Sequence, residues 1–163
     1  MGAANIKPPL IDGDYVYHVG FREIFCINKY TGETIWQWGF PDSPYGFSDD
    51  FLIHEEKFII PRSNGNLYAI HKGLGTVIWS IENHEAGFSS NDLRVYNEML
   101  YYGSGRLYVI DINAGQVVHA IRSPNRSSRF PHAQFLNGVA VDLERKHMYT
   151  TDGYFLMCMR LLE

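Results

Sequence analysis

The chain alternates apolar and polar residues over short runs that are separated by turn residues. The runs come in pairs: Tyr15–Tyr17 with Glu23–Ile27, Lys57–Ile60 with Leu67–His71, and Met99–Tyr102 with Leu107–Asp111. A period of two residues places successive side chains on opposite faces of a strand. Asn64-Gly65 and Ser104-Gly105 separate the runs of the second and third pairs, and such residues tolerate the positive φ of hairpin turns. The pattern therefore predicts an all-β chain.

An eleven-residue phrase occurs three times along the chain. It reads CINKYTGETIW at Cys26–Trp36, AIHKGLGTVIW at Ala69–Trp79 and VIDINAGQVVH at Val109–His119. The copies begin 43 and then 40 residues apart. A period near forty residues with alternation inside each unit, rather than helical spacing, is typical of β-propeller blades.

Each unit can be divided into four short strands, A to D, that form an antiparallel meander. Tight A–B turns are expected at Asp12-Gly13, Glu55-Glu56 and Asn97-Glu98, and the repeated glycine lies in the C–D turn. The fourth unit has no strand D. We predict a single propeller segment over residues 1–163, with about four blades at approximately 8–38, 47–81, 90–121 and 135–161. We expect it to be part of a larger propeller of about seven or eight blades.

Composition and charge exclude several classes of function. The formal net charge of -4 gives no basic field for nucleic acid, so no nucleic-acid partner is expected. The longest apolar stretch, at Tyr154–Met159, is too short to cross a membrane, and the first residues lack a signal-peptide pattern. Two cysteines, Cys26 and Cys158, make no disulfide scaffold, and we expect both to be buried free thiols.

The first copy of the phrase resembles the tryptophan-docking motif of the pyrroloquinoline-quinone (PQQ) repeat family, A-x-[DN]-x-x-T-G-x-x-x-W. The matching residues are Asn28, Thr31, Gly32 and Trp36 in the first copy, Ala69, Gly75 and Trp79 in the second, and Asp111 and Gly115 in the third. The fourth unit, GVAVDLERKHMYTTDG, is more similar to gluconolactonase- or NHL-type propellers. The resemblance implies that Trp36 and Trp79 dock between blades, against the glycines of the C–D turns at Gly32, Gly75 and Gly115.

The same resemblance bears on cofactors. In the dehydrogenases of this family PQQ lies over calcium, beneath two adjacent cysteines and near a catalytic aspartate. This chain has no adjacent cysteines and no recognisable calcium cluster, so we expect neither cofactor, with PQQ and calcium kept as an alternative. We predict no catalytic or metal-ligating residue. Because the family is mostly exported in bacteria, the periplasm or the cell surface is the expected location.

The long connections between blades carry the candidate binding residues. They run from Gly39 to Asp50, from Glu82 to Asp92 and from Arg122 to Phe135, and in a meander all of these D–A loops emerge on one face. The candidates are Tyr45, Asp49, Asp50, Asn91, Asp92, Arg122, Arg126, Arg129, Phe130 and His132. Phe47 and Phe88 fit plugs between blades, in which case the neighbouring polar groups cap strand ends. Alternatively, those polar groups surround the mouth of a central channel and hold a small ligand or ion.

Three functional hypotheses follow. The first is a non-enzymatic scaffold that binds a protein, peptide or carbohydrate through its D–A loops, since arginine and aromatic residues are typical of interfaces. The alternatives are a metal-dependent lactonase-like hydrolase and a PQQ-dependent dehydrogenase fragment. Because the fourth unit has no strand D, and only Met1–Lys7 precede the first strand, we also expect further blades or self-association to cover apolar end faces.

Overall fold

The computed structural model describes residues 8–48, 50–82 and 92–162. The candidates Asp49 and Asn91, and the proposed plug Phe88, lie outside these residues. Every regular element in the described part of the chain is a β-strand, so the all-β prediction is confirmed. Within the same ranges, no helix has the length and apolarity that a membrane crossing needs.

The strands form four antiparallel sheets that follow one another along the chain. The first sheet contains β1 (Leu10–Asp12), β2 (Tyr15–Val19), β3 (Glu23–Asn28) and β4 (Thr34–Gly39). The second contains β5 (Leu52–His54), β6 (Lys57–Pro61), β7 (Leu67–His71) and β8 (Val77–Ile81). The third contains β9 (Arg94–Tyr96), β10 (Met99–Ser104), β11 (Arg106–Asp111) and β12 (Gln116–Ile121). The fourth contains β13 (Ala140–Asp142), β14 (His147–Thr151) and β15 (Leu156–Arg160).

In every sheet each strand pairs with the next one in sequence, which is the meander predicted for a propeller blade. The pairing of strands C and D shifts its register at the same place in the first three sheets, after Cys26, Ala69 and Val109. The fourth sheet has three strands in the described residues. We refer to the sheets as blades 1 to 4.

Asparagine or aspartate at the end of strand C closes the C–D turn of two blades. The side-chain oxygen Oδ1 of Asn28 accepts hydrogen bonds from the backbone N–H groups of Tyr30 and Thr31, at 2.9 and 3.1 Å. Asp111 does the same for Asn113 and Ala114, at 2.8 and 2.9 Å. This shared geometry explains why the family motif accepts Asp or Asn at this position, because either residue offers the required acceptor.

The chain divides into two compact units, residues 1–82 with blades 1 and 2 and residues 83–163 with blades 3 and 4. The core of the first unit includes Tyr17, Phe58 and Ile70, which are fully buried. The core of the second includes Leu107, Phe135 and Met148, also fully buried. Each unit is described separately below.

In the first unit, Trp36 of β4 lies against the C–D turn of blade 2. Its indole N–H donates to the carbonyl oxygen of Lys72 at 2.8 Å. A Cβ placed on Gly75 would lie 2.7 Å from Cγ of Trp36, so only a glycine leaves room for the ring. Trp79, at the equivalent position of β8, is also buried. The Lys72 carbonyl also accepts from the hydroxyl of Tyr17, at 3.2 Å, a contact that no sequence pattern indicated.

The expectation of two buried thiols is wrong for Cys158. Cys26 is buried in β3, but Cys158 is exposed. The residues of β15 alternate between exposed and half-buried, and Cys158 lies on the exposed side. In the described residues β15 pairs only with β14, where Cys158 lies opposite Tyr149.

Candidate functional site

The long D–A loops lie beside the B–C connections within each unit. In the first unit, the backbone N–H of Phe47 donates to the carbonyl of Phe21 at 2.7 Å, and Phe47 forms an isolated bridge with Arg62. In the second, the N–H of Phe135 donates to the carbonyl of Gly105 at 3.3 Å. Both phenylalanines are buried, so each fixes one end of its loop, while other loop residues such as Tyr45 and Arg129 are exposed.

Arg62 is buried and holds the first D–A loop through hydrogen bonds. It is only 5% exposed, and its Nη2 donates to the Ser43 hydroxyl at 2.6 Å and to the Tyr45 carbonyl at 2.9 Å. Its guanidinium carbon lies 3.9 Å from the ring centroid of Phe40, while its buried Nε has no hydrogen-bond partner. The candidate Tyr45 is 50% exposed at the surface of this loop. The sequence offered no reason to select Arg62, because arginine in a turn is usually solvated.

The two remaining acidic candidates lie next to the first strands of their blades. Asp50 precedes β5 and is half-buried. Asp92 precedes β9 and forms an ion pair with Arg94. Asp92 also borders a groove of about 460 Å³ between β9 and the fourth blade. A Cβ on Gly138 would lie 2.3 Å from the Asp92 carbonyl oxygen, which shows how closely the two blades approach there.

Two of the predicted arginines meet in one cleft of the second unit. Arg122 and Arg126 line a space of about 480 Å³ together with Gly105 and Gln134, and we call this space the arginine cleft. A turn brings the two arginines together, because the backbone N–H of Arg126 donates to the carbonyl of Ser123 at 3.3 Å. The other loop candidates lie elsewhere: His132 is exposed, and the guanidinium of Arg129 lies over the ring of Phe130, 5.4 Å from its centroid.

An aromatic cluster forms where the same loop meets the connection between β14 and β15. The ring of Phe130 lies 5.2 Å from the rings of both Tyr154 and Phe155, measured between centroids. Tyr154 is 49% exposed and Phe155 is 40% exposed. We call these three residues the aromatic platform. Only Phe130 was predicted from the sequence, although two aromatic residues directly after the Asp152-Gly153 turn were a usable signal.

Asp152 forms hydrogen bonds beside both the arginine cleft and the aromatic platform, but it was not among the candidates selected from the sequence. Its side chain is fully buried, and its Oδ2 accepts from the Ser123 hydroxyl and from the Asn125 amide, the latter at 2.9 Å. Its Oδ1 accepts from the backbone N–H groups of Tyr154 at 3.1 Å and Phe155 at 2.9 Å. Burial alone would raise the pKa of Asp152, but these four hydrogen bonds outweigh it and lower the pKa to about 2. The group is therefore a carboxylate at neutral pH.

The described residues do not supply the donor set of a quinoprotein centre. No three histidine, cysteine or acidic side chains in the described ranges are grouped as a metal site would require. Cys26 and Cys158 are far apart in the sequence, so they are not the adjacent pair of cysteines that the resemblance implies for a PQQ site. The absence of both cofactors stays a prediction.

Comparison with protein families gives a match over residues 2–151 to the PQQ_2 family, whose model is described as the outer membrane protein assembly factor BamB. No curated protein sequence matches. BamB from Moraxella catarrhalis is structurally similar, with a TM-score of 0.62 and 18% identity over 87% of this chain and 40% of that one.

Two further solved structures share the fold. The quinohemoprotein alcohol dehydrogenase from Comamonas testosteroni has a TM-score of 0.65 and 15% identity, over 88% of this chain and 28% of that one. The computationally designed Ika4 protein has a TM-score of 0.68 and 12% identity, over 96% of this chain and 93% of that one. The chain therefore spans less than half of the natural proteins that it matches, and identities this low show the fold alone.

Proposed function

The chain belongs to the PQQ-repeat propeller family described as the assembly factor BamB, and on that premise we propose that it is a non-enzymatic scaffold that binds a protein partner through its long D–A loops. We further propose that it acts in the periplasm or at the cell surface, as a BamB-like family member would. A carbohydrate ligand on the same loops is the second form of this hypothesis.

The third D–A loop is the observation that supports the proposal. Residues 122–135 contain three arginines and one histidine but no acidic residue. Ser123 and Asn125 bind the buried Asp152, and Ala133 and Phe135 are buried, so the loop is fixed at both ends. Between these points the loop exposes cations and an aromatic ring. A fixed loop that presents arginine and aromatic side chains is well suited to a partner surface, because little entropy is lost when it binds.

Photocrosslinking in the native host tests this proposal. A photoreactive amino acid replaces Arg129 on the loop and, in a control variant, Glu144 in the A–B turn at the opposite edge of blade 4. We expect a discrete crosslinked protein with the first variant only, identified by mass spectrometry. The affinity of that purified protein is then measured with the Arg126→Ala/Arg129→Ala variant. Equal crosslinking at both positions, or an unchanged affinity, would contradict a role for the loop.

The two enzymatic alternatives have readouts of their own. Metal analysis of the purified protein tests the lactonase-like hydrolase, which needs a bound metal ion. The absorption spectrum after addition of PQQ and calcium tests the dehydrogenase fragment. A stoichiometric metal ion, or a quinone spectrum that changes on binding, would favour the corresponding alternative over the scaffold.

A further inference from the structure

The third residue of strand B and its neighbour on strand C form an equivalent pair in all four blades. The pairs are Tyr17 with Cys26, Ile59 with Ala69, Tyr101 with Val109 and Tyr149 with Cys158. The residues of the first three pairs are at most 1% exposed, whereas Tyr149 is only half-buried and Cys158 is exposed. Leu156 lies on the same face as Cys158, because side chains two positions apart on a strand point the same way, and it is 80% exposed. We call Tyr149, Leu156 and Cys158 the open face of blade 4.

Within each unit, the equivalent tyrosine contacts the blade that follows. The Tyr17 hydroxyl donates to the carbonyl oxygen of Lys72, just after strand C of blade 2, at 3.2 Å. The Tyr101 hydroxyl donates to the carbonyl oxygen of Leu162, just after strand C of blade 4, at 2.6 Å. Tyr149 is the same residue type at the same position of its blade, so blade 4 carries the group that docks one blade on the next.

Blades 1 and 4 share a cysteine opposite this tyrosine as well. A hydrogen bond with Cys158 raises the pKa of Tyr149, and burial, followed by the influence of Cys26, raises the pKa of Tyr17. The contact of Tyr17 with its thiol coexists with its hydrogen bond to Lys72. The thiol beside Tyr149 therefore leaves that hydroxyl able to donate to a carbonyl, because a hydroxyl is both a donor and an acceptor.

The docking position that is filled in blade 2 is open in blade 1. In blade 2, the Lys72 carbonyl accepts from aromatic side chains of blade 1, and a Cβ on Gly75 would lie 2.7 Å from the Trp36 ring. In blade 1, Lys29 and Gly32 occupy the same places of the C–D turn. Apart from its chain neighbours, nothing lies within 4 Å of a Cβ on Gly32, and no group in the described part of the chain donates to the Lys29 carbonyl. We call Lys29 and Gly32 the open docking position.

Apolar side chains of blade 1 are also less buried than their counterparts in blade 2. Val16 and Ile27 are half-buried, whereas Phe58 and Ile70 at the same positions of blade 2 are fully buried. The chain therefore has two uncovered surfaces that differ from each other and are complementary, a docking tyrosine on blade 4 and a docking position on blade 1. Between identical copies, two such surfaces make a head-to-tail contact.

We propose that the open face of blade 4 in one copy of this chain binds the open docking position of blade 1 in a second copy, with the Tyr149 hydroxyl donating to the Lys29 carbonyl. This contact repeats between two copies what Tyr17 and Lys72 do within the first unit. It uses no residue of the D–A loops, so it goes beyond the proposed scaffold function and does not rest on it.

The reactivity of Cys158 toward a maleimide, measured over a range of protein concentrations, tests the proposal. Cys26 is buried, so Cys158 is the thiol that reacts. We expect sedimentation velocity to show association of the chain, and the labelling rate of Cys158 to fall about tenfold or more once most copies are associated. A chain that stays monomeric, or a labelling rate that is the same in free and associated chains, would overturn the proposal.

Two substitutions each alter one of the two surfaces. Gly32→Asn puts a side chain into the open docking position, and Leu156→Lys puts a charge on the open face; each should weaken association by about tenfold or more. Tyr149→Phe, which removes only the hydroxyl, should weaken it about fivefold. The matched controls are Gly13→Asn, at another glycine with positive φ and open space around its Cβ, and Leu143→Lys, at an exposed leucine outside the strands of blade 4. Circular dichroism verifies that each variant folds, and an equal loss in the controls would contradict the assignment.

A mixture of the two weakened variants shows which surfaces meet. The Gly32→Asn copy keeps its open face and the Leu156→Lys copy keeps its docking position, so together they form one intact head-to-tail contact. We expect the mixture to associate, with Cys158 protected in the Gly32→Asn copy only, as read by mass spectrometry after isotope labelling of one variant. If Gly32→Asn alone associates as the wild type does, or if the mixture stays monomeric, the head-to-tail contact is wrong. Neither result changes the photocrosslinking outcome, so this proposal and the scaffold function can fail separately.

Discussion

Replacing Asp152 by asparagine removes the charge that holds the third loop while it keeps the shape of the side chain. Four donors point at the carboxylate, and an amide offers only one acceptor oxygen to them. Whichever way the amide is turned, its NH₂ group faces at least one N–H donor. The substitution therefore leaves a buried donor without a partner, which destabilises the fold.

The pKa gives the size of the effect. The difference between the ordinary value of 3.8 and a folded-state pKa of about 2 corresponds to roughly 2–3 kcal/mol of folding free energy, at about 1.4 kcal/mol per pH unit. Since the pKa is lowered in the folded state, this stabilisation is fully present above pH 4. It is lost as the pH falls from about 4 through about 2. We expect Asp152→Asn to lower the free energy of unfolding by that amount at pH 7 and by much less near pH 2.

The assay must report on the second unit. All three tryptophans, Trp36, Trp38 and Trp79, lie in the first unit, so their fluorescence follows the wrong part of the chain. Urea unfolding by far-ultraviolet circular dichroism at several pH values, together with amide hydrogen exchange of residues 122–135, is suitable. A difference between wild type and variant that stays constant from pH 7 to pH 2.5 would refute the linkage.

A matched control exists in blade 3. Asp111 also accepts two backbone N–H groups, but through one oxygen only, and Asn28 makes the same contacts in blade 1. Asp111→Asn should therefore change the free energy of unfolding by less than about 0.5 kcal/mol. A loss as large as that of Asp152→Asn would show that the number of donors around the carboxylate does not decide the effect.

Three further predictions concern the first unit and the assembly. Gly32 and Gly75 have nearly the same φ, 74° and 71°, but a Cβ meets the Trp36 ring only at Gly75. Gly32→Ala should therefore lower the free energy of unfolding by about 1 kcal/mol, and Gly75→Ala by about 1–3 kcal/mol more, as measured by tryptophan fluorescence in urea. Equal losses would argue against the docking contact. Arg62→Met should speed hydrogen exchange at residues 43–47, because the hydrogen bonds that hold this loop are lost. It should lower the free energy of unfolding by no more than about 1 kcal/mol, because a buried charge is removed together with its hydrogen bonds. Unchanged exchange would contradict the anchoring role of Arg62. Sedimentation velocity should detect self-association of the isolated chain, and a monodisperse monomer would count against it.

The repeated phrase predicted the strands and their order, because the features that determine them involve residues that are close together in the sequence. Alternation and turn glycines determine strands and hairpins, and the spacing of the phrase orders the meanders. The predicted strand B and strand C of blade 2 agree with β6 and β7 to within one residue. What could not be predicted was the exposure of Cys158, because a strand that reads as apolar is covered only where another element lies on it.

The candidate site was predicted in part for the same reason. Arginine and aromatic residues in a long loop were recognisable, and the structure brings Arg122 and Arg126 into one cleft while Arg129 lies over Phe130. Asp152 was overlooked because Asp-Gly also predicts a simple turn. Its role depends on Ser123 and Asn125, which lie 29 and 27 residues away in sequence. Such long-range hydrogen bonds leave no periodic signal in a single chain.

The sixth residue counted from the start of strand B differs from blade to blade, although the strands around it repeat. This position is Gly20 in blade 1, Arg62 in blade 2, Ser104 in blade 3 and Asp152 in blade 4. Arg62 and Asp152 are both buried and both hold the preceding D–A loop, but with opposite charge. Arg62 draws acceptors of its loop inward, whereas Asp152 draws donors inward. Because a buried charge is retained only when its partners are in place, each loop sequence must match its own anchor. The blades can therefore share one scaffold while each loop presents a different surface.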